Sequence, residues 1–407
     1  MKLSFLYGIK YPGLFEHEKK ASGNFCKQIR HSQNFCRIKF QVKPTGTMSK
    51  KIYSTIIGTG SYLPTQKIHN NDFLRHEFYQ PDGKTYDKGA EHIIKKFEEI
   101  AEIEERRHVT DDLVTSDISF YAARDALESS GVDKESLDYI IVAHNFGDLR
   151  AENRRSDFVP SLAARVKHRL EIKNPKAIAY DISFGCPGWL QGLIQANYYL
   201  KSGEAKRALV IGAETLSRVS DPHDRDSLLY ADGAGAVIVE AAVSRKPVGI
   251  LSHAARSDAF EYAYMLRMGP SYNPGYAGNE LFLKMNGHKL YEYALNTVPK
   301  VIKESLGKIN ILPGDITKIL IHQANGKMDS AILKRLFKLY GQNNIPPHIM
   351  PMIISRFGNS SVATLPTLLD MLFKGKLENH TLKKGDISVL VSVGAGMNVN
   401  SVVYKMP

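Results

Sequence analysis

The sequence predicts an α/β fold of two similar halves, each with helices covering a buried sheet. The first observation is a repeat. "LESSGVDKESLDYIIVAHN" (127–145) and "LGKINILPGDITKILIHQAN" (306–325) each end a helix, turn and enter a β-branched strand, at a constant offset of 179 residues. A junction, a helix and an apolar strand at 186–214 then recur at 359–396 with a longer linker. Strands such as "RALVIGA" and "ISVLVSV" are nearly all apolar, as is typical of strands covered on both faces.

These repeats divide the chain into halves at 48–245 and 246–407, preceded by a basic extension at 1–47. The extension carries seven of the twelve net positive charges and has no sustained helix or strand period. We expect it to be disordered or not translated, with Met48 as the preferred start. A targeting segment is the alternative, because the extension is basic and poor in acids.

Charge and hydropathy exclude two classes of partner. The remaining 360 residues are only mildly basic, which suits an acidic protein partner but is too weak for a nucleic-acid groove. No apolar run approaches the roughly 18 to 20 residues that cross a bilayer. We therefore expect neither nucleic acid nor membrane as a partner.

Only one of the three cysteines lies inside the predicted fold. Cys26 and Cys36 flank His31 in the extension, too far apart for a typical pair of metal ligands, so we interpret them as incidental. Cys186 is then the single cysteine of the folded part. This usage predicts a reduced, cytoplasmic setting without a disulfide framework.

The repeat places three reactive residue types at matching ends of elements. Cys186 and Asn359 each fall just before the first turn of the corresponding helix, and His322 ends the corresponding strand of the second half. Each has a structural explanation: a packed thiol, a helix N-cap and a buried core histidine. Together, in a duplicated frame, they favour a catalytic site. His144, beside the repeat equivalent of His322, is interpreted as structural, or at most as lining the cavity.

The junction "FGCPGW" suits a nucleophilic thiol. Unpaired amides and the dipole at a helix N-terminus stabilise a thiolate, so Cys186 is expected to be activated there. Pro187 is expected at the first helical position, where its missing amide hydrogen costs nothing. Gly185 and Gly188 leave room for a substrate to approach the sulfur.

Seven motifs in order carry a family resemblance from about Met48 to the C-terminus. They are "IIGTGSYLP" (56–64), "DISFGCPGW" (181–189), "DPHDRDS" (221–227), "ADGAGA" (231–236), "MNGHKLYEYA" (285–294), "HQAN" (322–325) and "FGNSSVATLP" (357–366). This part of the chain resembles β-ketoacyl-acyl carrier protein synthase III, a condensing enzyme of the thiolase fold. The resemblance implies duplicated halves in a layered αβαβα arrangement.

The resemblance also implies the reaction and its residues. Cys186 accepts an acyl group from a thioester, and His322 with Asn359 handles malonyl-acyl carrier protein during a decarboxylative Claisen condensation. The backbone amides of Cys186 and Ala395 hold the oxyanion. No metal is implied, and no cofactor beyond the phosphopantetheine arm of the substrates. The implied partners are acyl carrier protein and a second copy of the chain, in fatty acid or related lipid biosynthesis.

The residues implied to contact substrates include departures from the family pattern. Arg225 and Asn286 match substrate-binding positions, and Lys327 matches a basic position facing the carrier protein. Val159 stands where a bulky aromatic often closes the acyl pocket from the partner subunit, so we expect chains longer than acetyl to be tolerated. The stretch "IIKKFEEIAEIEERRHV" (93–109) lacks the tryptophan that grips coenzyme A, which makes a carrier-borne primer plausible.

Four other functions are to be distinguished from a synthase III. "VAHNFGD" (142–148) and "EERRHV" are similar to dialkylresorcinol-forming ketosynthases, which join two β-ketoacyl units, and this is the main alternative. A noncatalytic condensing-enzyme partner typically loses the nucleophile. A chalcone-synthase-like enzyme shares all three residues and differs in its products. A degradative thiolase is rejected, because no cysteine follows residue 186.

Overall fold

A computed structural model describes residues 50–407 of the chain. The strands are β1 (Lys51–Tyr62), β2 (Gln66–His69), β3 (Glu105–His108), β4 (Tyr139–His144), β5 (Ile178–Ser183), β6 (Arg207–Thr215), β7 (Asp232–Ser244), β8 (Gly249–Ser257), β9 (Leu266–Gly269), β10 (Phe282–Met285), β11 (Lys318–Ile321), β12 (Ile387–Gly394) and β13 (Asn398–Lys405). The α-helices are α1 (Ala90–Ala101), α2 (Thr115–Ser130), α3 (Leu162–Arg169), α4 (Gly188–Ser202), α5 (Ala259–Tyr262), α6 (Gly287–Gly307), α7 (Gly326–Lys338), α8 (Ile354–Phe357) and α9 (Thr364–Phe373). The expectations for the extension, Met48, Cys26 and Cys36 lie outside the described residues.

The two large sheets share one topology. The first has the order β1-β7-β6-β4-β5, and the second has the order β8-β13-β12-β11. In both, the strand at the centre pairs antiparallel on one side and parallel on the other: β6 with β7 and β4, and β12 with β13 and β11. The first sheet has one strand more, β5, at its edge. The repeat seen in the sequence is thus a repeat of whole sheets.

Residues matched by the 179-residue offset occupy matched places. Leu137 and Ile316 are both buried ahead of their strands, and Val142 and Ile321 are both buried within β4 and β11. Gly131 ends α2 in the left-handed conformation, which breaks the helix and lets the chain turn towards β4.

The elements stack in five layers, which confirms the predicted αβαβα arrangement. Helices α4 and α9 lie between the sheets, where Leu193 and Leu368 pack in one apolar cluster with Val210 of β6 and Leu390 of β12. Helices α2 and α3 cover the outer face of the first sheet, and α6 and α7 cover that of the second. Because side chains alternate along a strand, Leu209 of β6 faces outwards while Val210 faces the middle layer.

The layering also explains why the strands are apolar throughout. Both faces of β6 and β12 are covered by helices, so a polar residue on either face would lose its contact with water. Among the described helices, none is both long and apolar enough to cross a membrane.

Candidate active site

Two tight turns from opposite halves of the molecule meet around Cys186. The turn after β12 passes so close that a methyl group on Gly394 would lie 2.9 Å from the Cys186 sulfur. Gly185 has φ of +70°, and a methyl group there would lie 2.8 Å from the Ala395 backbone nitrogen. Only glycine fits at these two positions, because any side chain would separate the turns. The turn after β12 thereby reaches the cysteine of the first half.

Cys186 lies just ahead of α4, half-buried. The helix begins at Gly188 with Pro187 as its N-cap, so Pro187 stands one position earlier than the sequence predicted. The backbone N–H groups of Cys186 and Ala395 both face the sulfur. These are the two amides expected to form an oxyanion hole.

The surroundings of the Cys186 thiol act in both directions on the thiolate that the helix start is expected to stabilise. Burial raises the pKa of the Cys186 thiol to about 11, and the nearby Glu214 carboxylate adds to this rise. The hydroxyl of Ser361 and the two amides lower the pKa, but burial outweighs them. At neutral pH the resting sulfur is therefore a protonated thiol that shares its surroundings with groups ready to stabilise the thiolate.

Asn359 is tied to the same place through Ser361. Its backbone pairs with the segment 229–231, because Asn359 N–H donates to the Leu229 carbonyl (2.9 Å) and Ala231 N–H donates to the Asn359 carbonyl (2.9 Å). Its side-chain oxygen accepts from Ser361 N–H at 2.8 Å, which leaves the side-chain nitrogen as a donor. A single 3₁₀ turn (Ser361–Ala363) separates Asn359 from α9, and Ala363 is the N-cap, so the N-cap explanation for Asn359 is excluded.

Ser361 touches the sulfur directly. Its hydroxyl lies 3.2 Å from the Cys186 sulfur. The residue has φ of +53°, a left-handed conformation that costs a non-glycine residue about 1 kcal/mol. Such strain is retained where the surroundings require one side-chain direction, and here the direction is towards the nucleophile.

His322 follows β11, one residue past its end. Its N–H donates to the Val391 carbonyl at 2.8 Å, and the register of β11 with β12 sets it level with the residues that lead into Gly394. The ring is buried, and burial lowers its pKa to about 4. The imidazole is therefore neutral at pH 7, with one ring nitrogen able to donate. Nδ1 has no hydrogen-bond partner among the described residues.

The neighbouring Gln323 fixes the path towards Asn359. Its side-chain nitrogen donates to the Pro351 carbonyl (2.9 Å), and its oxygen accepts from Ile353 N–H (2.8 Å). Ile353 is the N-cap of α8, the short helix that leads to Gly358 and Asn359. The second half thus fastens the segment carrying the carboxamide to the segment carrying the imidazole.

The positions expected to bind substrates lie on the exterior. Arg225 and Lys327 have exposed side chains, with Arg225 over the ring of Tyr86 at 5.4 Å. Asn286 is exposed and caps α6 through Lys289 N–H (3.3 Å), which gives it a structural task. Val159 is 86% exposed.

Val159 borders a surface cleft of about 480 Å³ together with Asp148 and Arg165. None of the substrate positions touches Cys186 among the contacts of the described residues.

His144 has the structural surroundings expected for it. Its Nε2 lies 3.1 Å from Asp181 and its Nδ1 accepts from Gly147 N–H at 3.1 Å. Asp181 also accepts from the amides of Leu162 and Ala163 at the start of α3. The pair therefore anchors the long loop between β4 and α3.

Three residues at the site were not selected from the sequence. Ser361 lay within the quoted motif "FGNSSVATLP", Asn145 within "VAHNFGD", and Glu214 at the end of the apolar strand "RALVIGAE". The acid in a strand otherwise apolar was a usable signal, because a fully buried carboxyl requires a specific partner.

Comparison with known proteins agrees with this arrangement. The model of 3-oxoacyl-[acyl carrier protein] synthase III matches residues 180–259, and the model of its C-terminal part matches residues 306–406. The synthase III structure from Aquifex aeolicus VF5 is 29% identical with a TM-score of 0.69, covering 86% of this chain and 99% of that one. The Thermus thermophilus structure is 29% identical with a TM-score of 0.71, covering 87% and 99%.

A third structure, the synthase III from Pseudomonas aeruginosa PAO1, is 25% identical with a TM-score of 0.71 and covers 87% of this chain and 98% of that one. The matched segments contain the cysteine junction, the histidine, the asparagine and the glycine turn. Residues 180–259 and 306–406 therefore match the two parts of the 3-oxoacyl-[acyl carrier protein] synthase III family of condensing enzymes.

Proposed function

We propose that this condensing enzyme transfers an acyl group from a thioester to Cys186 and then joins it to malonyl-acyl carrier protein with loss of carbon dioxide. The observation that carries the proposal is the meeting of the two turns at the sulfur. It sets the thiol, two backbone donors and the Ser361–Asn359 segment around one point. His322 stands at the end of the neighbouring strand.

In the first step, the Cys186 sulfur attacks the thioester carbonyl. The thiol proton goes to the departing thiolate of the donor, so an acyl-cysteine and a free thiol result. The amides of Cys186 and Ala395 stabilise the oxygen that becomes negative in between. Donors of this kind raise the rate to the extent that they bind the developing oxyanion more strongly than the resting thiol and the substrate.

In the second step, malonyl thioester loses carbon dioxide and its thioester oxygen takes up the negative charge of an enolate. The neutral His322 ring and the side-chain nitrogen of Asn359 are donors suited to that oxygen. The enolate carbon then attacks the acyl-cysteine carbonyl, and the Cys186 sulfur leaves. Splitting the condensation at a covalent intermediate replaces one difficult step by two easier ones.

The test separates loading from condensation. Intact-mass measurement after incubation with acyl donors on coenzyme A and on carrier protein should show one added acyl group in the wild type and none in Cys186→Ala. His322→Ala and Asn359→Ala should still load, while the β-ketoacyl product from malonyl-carrier protein falls at least about 100-fold. A loaded Cys186→Ala protein, or full condensation by both other variants, would overturn the proposal.

A second candidate is the joining of two β-ketoacyl units. The small, exposed Val159 favours it, because the position does not close off an acyl pocket and leaves volume for longer chains. The same loading experiment decides, with two β-ketoacyl thioesters and no malonyl donor. A product under those conditions supports this candidate, and its absence leaves the malonyl reaction.

We further propose the setting and partners of the reaction. The exposed Lys327 and Arg225 suit an acidic carrier protein, although at exposed positions each charge is also well solvated. The described part of the chain holds one cysteine, which is free, and this suits the cytoplasm. The proposed condensation suits fatty acid or related lipid biosynthesis. The proposed reaction uses the side chains and backbone amides of the protein together with the phosphopantetheine arm of the substrates. We also propose a homodimer that forms through the open edge of the first sheet.

A further inference from the structure

Three residues outside the cysteine–histidine–asparagine set form a chain of hydrogen bonds that ends on the nucleophile. Asn145 follows β4, Glu214 lies in β6, and Ser361 precedes α9. The Asn145 side-chain nitrogen lies 2.6 Å from Glu214 Oε2 and 3.3 Å from the Ser361 hydroxyl. That hydroxyl lies 3.2 Å from the Cys186 sulfur.

The direction of every hydrogen bond in this chain follows from its first member. Glu214 is fully buried, and its Oε2 also accepts from the backbone N–H of Asn145 at 3.0 Å. An acceptor at this place forces the nitrogen of the Asn145 carboxamide, and not its oxygen, to face Glu214. The same nitrogen then faces Ser361, and because it can only donate, the Ser361 oxygen must accept.

Ser361 has a single hydroxyl hydrogen, so its remaining bond is fixed as well. With its oxygen accepting from Asn145, its hydrogen is free to point at the Cys186 sulfur. A flipped carboxamide would put oxygen against Glu214 and would draw the Ser361 hydrogen away from the sulfur. Through Asn145 and Ser361, Glu214 thereby determines whether the Cys186 sulfur receives a hydrogen bond.

The donors and acceptors in this row of hydrogen bonds stay the same when Glu214 takes up a proton. Burial raises the pKa of Glu214 to about 7, so both protonation states are populated near neutrality. Its Oε1 has no hydrogen-bond partner among the described residues, while Oε2 already accepts twice. The proton belongs on Oε1, and Oε2 stays an acceptor in either state.

We propose that Asn145 is a positioning residue for the nucleophile, which is held by Glu214 and turns the Ser361 hydroxyl into a fixed donor to the Cys186 sulfur. This inference rests on the proposed role of Cys186. A hydrogen bond to the charged form favours the thiolate against the effect of burial. It makes the sulfur easier to deprotonate as acyl transfer begins and a better leaving group when condensation ends.

The test exchanges donor for acceptor at residue 145 without changing the size of its side chain. Asn145→Asp keeps the size of the side chain but offers only acceptors, so it takes the Ser361 hydrogen from the sulfur. Alkylation of Cys186 by iodoacetamide, followed from pH 7 to 11 so that the rise towards the thiol pKa is covered, should slow at least about tenfold at pH 8, with its profile moved to higher pH. Ser361→Ala should slow it similarly. The double variant Asn145→Asp/Ser361→Ala should be alkylated no more slowly than Ser361→Ala alone.

A matched variant separates positioning from folding. Asn145→Asp places two acids together, so we pair it with Glu214→Gln, whose amide can donate to the new carboxylate and restores the net charge of the wild type. The thermal unfolding temperature of Asn145→Asp/Glu214→Gln should return towards that of the wild type, while alkylation of Cys186 stays slow. Recovery of alkylation together with stability would overturn the proposal, as would unchanged alkylation in Asn145→Asp.

Alkylation needs no substrate, so its outcome is independent of the reaction proposed above. If the wild type fails to load an acyl group, the proposed function fails whatever the alkylation rates. If it loads and both Asn145→Asp and Ser361→Ala alkylate at the wild-type rate, only the positioning role is lost.

Discussion

At the scale of single residues, the site depends on burial more than on the local sequence around each group. Cys186, His322 and Asn359 could be selected from the sequence, because a repeat and quoted motifs place them at the ends of elements. The protonation states of Cys186 and His322 could not, since burial raises the pKa of the thiol and lowers that of the imidazole. Asn145 was missed because the direction of a hydrogen bond exists only in three dimensions, whereas Glu214 could have been found as an acid within an apolar strand.

The buried His322 makes stability depend on pH. Its pKa is about 4 in the folded chain and near 6.5 when exposed, so the unfolded state binds a proton first as the pH falls. The contribution of the neutral ring is present above pH 6.5 and is lost as the pH falls towards 4. Between pH 7 and 4.5, urea unfolding of His322→Gln should lose about 2 kcal/mol less than the wild type does. Equal losses would show that the ring stays solvated.

At the scale of elements, the sequence predicted the large strands and helices and missed the small ones. The constant offset identified β4 and β11, and the second repeat identified α4 with β6 and α9 with β12. The short pair β2 and β3 gave no signal, because four-residue strands carry too little periodicity to recognise. The start of α4 lies one residue later than predicted, with Pro187 at the N-cap, and helix ends ordinarily vary by this much.

The middle layer should be the most sensitive part of the fold. Leu193 of α4 is fully buried in the cluster that joins both sheets. Leu193→Ala removes its contacts and leaves a cavity, and should cost about 3 kcal/mol of unfolding free energy in urea titration. The control is Leu312→Ala at a 60% exposed loop position, which should cost less than about 0.5 kcal/mol. Similar costs for both variants would contradict the layer assignment.

At the scale of the whole molecule, the first sheet ends in an open strand. Within the described part of the chain, β5 pairs with β4 on one side and with no strand on the other. Every residue of β5 is at least partly exposed, and Ile178 is 50% exposed. An apolar, unpaired edge invites another strand, and a second copy of this chain supplies an identical one.

The expected assembly is therefore a dimer joined through β5. Light scattering after size exclusion should give twice the 45.5 kDa of one chain. Ile178→Asp should shift the protein to monomers, whereas Val243→Asp, at a 65% exposed position on β7, should not. A monomeric wild type, or a dimer that persists in Ile178→Asp, would speak against this interface.

The contact of Gly394 with Cys186 joins the two halves where the reaction takes place. Neither copy of the repeat by itself holds both the sulfur and the amide-bearing turn, so chemistry arises only at the seam between them. Because one polypeptide carries both copies, the contact between the Gly394 turn and Cys186 forms within a single molecule. The fraction of protein that has this contact therefore does not depend on protein concentration.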